Sequence, residues 1–114
     1  MDDFDRIWKF ETQQFKIELA FGPEYDAPDW DFESEEERAE LYEKINDGRL
    51  SWFCARVRVL WNGQEISADY LGGCCYESVE DFKRDGYFRD MVRTAISEAR
   101  DYFKTIDLPK LRAA

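Results

Sequence analysis

The apolar residues of the chain follow two different periods. Phe15, Ile17, Leu19 and Phe21 alternate with Lys16, Glu18 and Ala20, which is the pattern of a strand with one buried face. Gly22-Pro23 ends that run. The residues before it fit both periods: Phe4, Ile7 and Trp8 have helical spacing, whereas Trp8 and Phe10 alternate. Farther along, "RLSWFCARVRVLWNGQEISADYLGG" reads as a β-hairpin, because Asn62-Gly63 sits between two β-rich runs. A two-residue turn pairs Trp61 with Gln64. Val59 then faces Ile66, Val57 faces Ala68 and Ala55 faces Tyr70, all on a core side with Phe53. The opposite side pairs Leu60 with Glu65, Arg58 with Ser67 and Arg56 with Asp69, the last as a cross-strand ion pair.

Helical periods occupy the rest. Ser34 is a good N-cap and Glu37 completes a capping box, so a helix is expected from about Glu35 to Asp47 with Gly48 as its left-handed stop. Arg38, Leu41, Tyr42 and Ile45 fall on one side of this helix. Glu36, Glu40, Glu43 and Asp47, at offsets 0, 4, 7 and 11, fall on the other. Ser78 with Asp81 marks a short helix ending near Asp85-Gly86. A long helix should run from about Tyr87 to Thr105, with Phe88, Met91, Val92, Ala95, Ala99, Tyr102, Phe103 and Ile106 as its apolar face and Pro109 beyond its end.

Together these elements predict one α+β domain spanning residues 1–114. Its antiparallel sheet has three or four strands, with the long C-terminal helix covering one face. The short acidic helix is inserted between strands and is expected to pack beside the core through Leu41, Tyr42 and Ile45. A chain of 114 residues with nineteen aromatics can build such a core without metal or disulfide. The three cysteines are an odd number, which argues against a secreted disulfide framework. The acidic N-terminus "MDDFDRIW" fits neither a secretory signal nor a transit peptide, and no apolar run has the length of a membrane span. The cytoplasm of a bacterial host is the expected compartment.

Charge changes the picture more than composition does. The net charge is −10, and residues 1–50 hold sixteen acids and six bases, whereas residues 51–114 hold ten of each. Within the first half, "YDAPDWDFESEEERAELYEKINDG" carries ten carboxylates and two bases. Such a surface repels nucleic-acid phosphates and attracts basic surfaces.

Catalytic chemistry finds little support. There is no histidine, which removes Ser-His and Cys-His nucleophile pairs, and there is no Walker loop or dinucleotide fingerprint. Gly72-Gly73 reads as a strand-end bulge or tight turn. Cys54, Cys74 and Cys75 lack the paired spacing of a zinc site and any Cys-x-x-Cys redox motif, so they read as small buried thiols. Asp29, Asp31, Glu33 and Glu40 have a partial EF-hand spacing, but Ser34 stands where glycine is needed and a helix begins inside the loop. No catalytic, cofactor or metal site is expected.

The acidic region remains. Charge runs are usually solvated faces, but here like charges at helical spacing repel one another and cost an isolated helix a few tenths of a kcal/mol per pair, roughly. Tyr25, Trp30 and Phe32 interleave with Asp26, Asp29, Asp31 and Glu33, a mixture typical of interfaces. Successive helix acids rise about 6 Å apart, close to the phosphate spacing of a nucleic-acid strand. Asp26, Asp29, Asp31, Glu33, Glu36, Glu40, Glu43 and Asp47 are therefore the candidate partner-binding acids, with Trp30 as an apolar anchor.

The stretches "FETQQFKIELAFGPE", "GRLSWFCARVRVLWNGQEISADYLGGCCYES" and "GYFRDMVRTAISEAR" resemble small proteins carried by phages and other mobile elements. As a class, the size, acidity and lack of enzymatic motifs are similar to anti-CRISPR and anti-restriction inhibitors. That similarity implies stoichiometric binding to a nuclease or guide-bound complex, and it assigns no individual residue. The expectation is an acidic nucleic-acid mimic that blocks a basic DNA- or RNA-binding site and does not itself bind nucleic acid. The alternative is a phage assembly or host-takeover module that docks through aromatics and the sheet's second face, with Trp52, Leu60 and Leu71 exposed there.

Overall fold

The structure, a computed structural model, describes residues 3–28 and 32–105. Four strands form one antiparallel sheet in the order β1 (Asp5–Glu11), β2 (Phe15–Gly22), β3 (Ser51–Trp61) and β4 (Gln64–Tyr76). Helix α1 (Glu35–Asn46) lies between β2 and β3 in the chain, and α2 (Val79–Arg84) and α3 (Tyr87–Lys104) follow β4. The α+β class, the long C-terminal helix on one sheet face and the inserted acidic helix are as the periodicities predict.

One sheet face and α3 enclose the core. Leu19, Phe53, Ala55, Val57 and Val59 meet Phe82, Met91, Ala95 and Ala99 there. Phe82 of α2 is fully buried. Its ring lies 5.3 Å from Phe21, 5.3 Å from Tyr76 and 5.8 Å from Phe53. The ambiguous start of the chain is a strand with a bulge: Arg6 pairs with Ala20, Trp8 pairs with Leu19, and Ile7 is the extra residue. The bulge lets Ile7 and Trp8 both pack against the core, which explains the mixed periods.

Beyond the Asn62-Gly63 turn, the hairpin corrects the expected register. Both turn residues have positive φ, 49° and 83°, and Trp61 does pair with Gln64. The register then shifts between Leu60–Glu65 and Val59–Ser67. Val57 therefore faces Asp69, and Arg56 faces Tyr70. Val57 and Val59 are buried as expected, but Ala68 and Tyr70 lie on the other side of the sheet, and Tyr70 is 55% exposed. No Arg56–Asp69 pair forms. The cause lies in α3, which approaches on the small residues Ala95 and Ala99. Ser67 fits beneath it and its hydroxyl donates to the Ala95 carbonyl at 2.7 Å, whereas a tyrosine on that face would overpack it. A second shift, with Phe53 opposite Cys74, makes Gly72-Gly73 a bulge inside β4 rather than the strand's end. Leu71 pairs with Ala55 and so belongs to the core side, not to the second face.

The second face carries ion pairs across the strands. Glu18, buried in β2, accepts from Arg58 Nε at 2.7 Å and lies 3.1 Å from Lys16 Nζ. Burial alone would raise its pKa, but the hydrogen bonds from Arg58 and Lys16 outweigh it and hold the carboxyl below its ordinary value of 4.5. A depressed carboxyl stabilises the fold above the unfolded value and loses that contribution as pH falls through the folded one. Glu18→Gln should therefore cost about 1–3 kcal/mol at neutral pH, and the gap to wild type should close in urea titrations below pH 4.5. A gap of constant size down to pH 3 or so would contradict this assignment. Phe4 lies over the same face. The Arg56 guanidinium sits 4.6 Å from its ring centroid, and a Cβ added at Gly22 would come within 2.7 Å of the ring.

Candidate functional site

Helix α1 is built by its caps rather than by its packing. Ser34 Oγ accepts from the Glu37 N–H at 3.2 Å. The returning bond of the box reaches one residue farther back, with the Glu33 N–H donating to Glu37 Oε2 at 3.0 Å. At the far end Gly48 takes a φ of 86°. Between the caps no residue is buried, and none belongs to the core cluster.

This corrects the expectation that α1 packs on the core through Leu41, Tyr42 and Ile45. Those residues are only half-buried. Leu41 instead lines a shallow hollow of about 220 Å³ with Phe32 and Leu50, and Tyr42 donates its hydroxyl to the Pro28 carbonyl at 3.3 Å. The approach segment is pinned to the end of the sheet. Trp52 Nε1 donates to the Asp26 carbonyl at 2.9 Å, and the Gly73 N–H of the β4 bulge donates to Glu24 Oε1 at 3.0 Å. The helix is therefore tethered at its base while its carboxylates face solvent.

The candidate acids do not form one uniform group. Glu36, Glu40 and Glu43 are exposed along one side of α1. Glu40 is 3.7 Å from Lys44 Nζ, whereas Glu36 and Glu43 have no cation within ion-pair distance among the described residues. Asp47 is the C-cap and is engaged by Arg49, whose Nε donates to it at 2.8 Å. Hydrogen bonds from the Arg49 side chain hold that carboxyl below its usual range, so its charge is largely compensated locally. Asp26 and Glu33 are exposed on the approach segment. Asp29, Trp30 and Asp31 lie outside the described residues. Of the interleaved aromatics, Tyr25 is 82% exposed, with its hydroxyl 3.3 Å from Asp3 Oδ2, and Phe32 is half-buried against α1.

The thiols are arranged for packing. Cys74 pairs opposite Phe53 on the core face, while Cys75 pairs opposite Trp52 on the second face, so the adjacent sulfurs point to opposite sides of the strand. Among the described residues no group of three or more Cys, Asp or Glu is placed to hold a metal ion. Burial pushes Cys74 up to about 11 and also raises Cys54 and Cys75. Native protein at pH 7.5 or so should then consume iodoacetamide at Cys74 at least about a hundredfold more slowly than free cysteine, with full reaction only in denaturant. Rapid native alkylation of Cys74 would refute the structural role.

The site that the described residues present is a helix with a solvent-facing line of carboxylates, Glu40 with Lys44 beside it and Glu36 and Glu43 without a cation among the described residues, attached to a well-packed sheet and adding nothing to its core. No protein-family model, curated protein or solved structure matches the chain.

Proposed function

We propose that the protein is a stoichiometric inhibitor of the anti-CRISPR kind, whose α1 ridge occupies the basic nucleic-acid-binding surface of a host defence complex. The observation that carries this reading is the position of α1. The helix repels itself along Glu36, Glu40 and Glu43, buries no residue fully and adds none to the core cluster. Presented on a rigid, capped element, those carboxylates can meet arginines and lysines that otherwise hold phosphates. Asp26 and Glu33 extend the acidic surface toward the sheet. Asp47 acts in the helix end with Arg49 and contributes least.

A second reading has one specific observation behind it. No helix covers the second face of the sheet among the described residues, and Leu60 and Trp52 are part-exposed there. A protein-interaction module without mimicry would dock on that face. Immobilised protein incubated with extract of its bacterial host separates the two. The mimic captures a nucleic-acid-binding protein, loses it as salt rises from low to moderate ionic strength, and shifts neither DNA nor RNA on its own. A captured partner that is insensitive to salt and is released by substitution of Leu60 or Trp52 supports the second reading instead.

A further inference from the structure

The charges of α3 are sorted by side. Counted from Arg89, the residues Arg93, Arg100 and Lys104 stand at offsets of 4, 11 and 15, all close to whole turns, so the four cations form one line along the helix. All four are exposed. Lys104 lies 3.6 Å from Asp101, whereas Arg89, Arg93 and Arg100 have no carboxylate within ion-pair distance among the described residues. The acids of α3, Asp90, Glu98 and Asp101, stand about a quarter- to a half-turn round from the line. Glu11 and Glu18 of the neighbouring strands belong to the second face, with Lys16 and Arg58. Three uncompensated arginines in a row are unexpected in a chain of net charge −10.

Beside this line a hollow of about 270 Å³ opens between α3 and the sheet. Ile17 and Val59 form its floor, and Phe15 and Phe103 close one end with their rings 5.7 Å apart, edge to face. Between Ile96 and Phe103 the buried side chain of the helix is only Ala99, whose methyl does not fill the space above the sheet. Arg100 is the single charged residue of the lining. Phe10 adds to the apolar surface. It pairs with Ile17, so it shares the face of the floor, and it is 54% exposed.

Hollow and arginines together select an occupant. An apolar cavity of about 150 Å³ accepts benzene, so this one has room for a leucine or phenylalanine side chain. Arg93 and Arg100 are two turns, about 10 Å, apart along α3. A helix laid beside α3 presents carboxylates two turns apart on one side, with an apolar residue between them. We infer that this flank of α3 docks an acidic amphipathic helix of a partner protein, with one apolar side chain in the hollow and carboxylates on Arg93 and Arg100. The buried anchor then gives the affinity and the arginine line selects the sign of the partner. The surface does not involve the α1 ridge, and its test is independent of that reading.

The probe is a fluorescent peptide of about eighteen residues, long enough to form a helix, with leucine and glutamate on adjoining faces over an alanine background. Binding is read by anisotropy and its location by amide hydrogen exchange. The peptide should bind and slow exchange within residues 92–104. Glutamine in place of its glutamates, alanine in place of its leucines, or the double variant Arg93→Glu, Arg100→Glu should each weaken binding roughly tenfold or more. Both arginines are exposed, so the variant should keep the wild-type Tm. An oligothymidylate, which has charge without an apolar face, should not displace the peptide. The inference is overturned if the glutamine peptide binds equally well, if the double variant binds as wild type does, if protection appears on α1 instead of α3, or if oligothymidylate displaces the peptide as readily as unlabelled peptide does. It is also overturned if the protein alone sediments as a dimer that the double variant dissociates, since a second copy is then the occupant. Failure to bind at millimolar concentration, as when residues 106–114 of the same chain take the hollow, overturns it too.

Discussion

Phe82→Ala is expected to destabilise the protein by about 3–5 kcal/mol, the range for deleting a fully buried aromatic ring. Phe82 is completely inaccessible, and its ring closes the aromatic cluster of Phe21, Phe53 and Tyr76, with Phe88 at 6.4 Å. These neighbours come from β2, β3, β4 and α3, so one cavity loosens every layer at once. Against a typical total of about 5–15 kcal/mol, the loss should lower Tm on the order of 15 °C in calorimetry. Phe82→Leu, which conserves more volume, should lose much less. A Phe82→Ala loss below about 1 kcal/mol would mean that α2 is not the keystone that its packing indicates.

The second large effect is functional. Reversing Glu36, Glu40 and Glu43 to lysine should abolish capture of the partner while leaving the fold intact. The fold should persist because no α1 residue is buried, and because the caps at Ser34 and Gly48 are untouched. The three sites are exposed, and three lysines repel one another about as the glutamates do, so the loss is limited to the exposed Glu40–Lys44 pair and the first-turn charge at Glu36, and far-ultraviolet circular dichroism and Tm should stay close to wild type. The change in charge is +6, opposed to a basic partner surface. Exposed pairs are individually weak, but a surface of one sign reversed as a block meets like charge across the whole contact, which costs several kcal/mol. Reversal of Asp47 alone should matter little for binding, since Arg49 already engages it.

Local pattern carried far into this fold. The alternation from Phe15 to Phe21, the Asn62-Gly63 turn and the Ser34 and Ser78 caps each depend on neighbours within a few residues, and each stands where the spacing puts it. The bulges at Ile7 and Ile66 were not legible, because they depend on what packs above the sheet, whereas Gly72-Gly73 was readable as a bulge or tight turn but stands inside β4 rather than at its end. Ile66 starts the slip of β4 only because α3 presents Ala95 and Ala99 and needs a small partner at Ser67. The ion pairs of the second face were hidden by distance along the chain instead. Glu18 and Arg58 are 40 residues apart and meet only in the β2–β3 register. Phe82 was missed because a six-residue helix is too short to display a period. For the acidic region, the Glu36–Glu40–Glu43 line was readable from helical geometry alone. The pairing of Asp47 with Arg49 depends instead on how the helix ends, and Asp29, Trp30 and Asp31 fall outside the described residues.

The most direct measurement of the central claim is competition on the captured partner. Wild-type protein is immobilised, loaded with its partner from host extract, and challenged with increasing DNA or RNA at constant ionic strength. If α1 occupies a phosphate-binding surface, nucleic acid releases the partner in a saturable manner, and the Glu36, Glu40 and Glu43 reversal never loads it. If the partner stays bound through a saturating nucleic-acid challenge and loads equally well on the triple reversal, the mimic account is wrong.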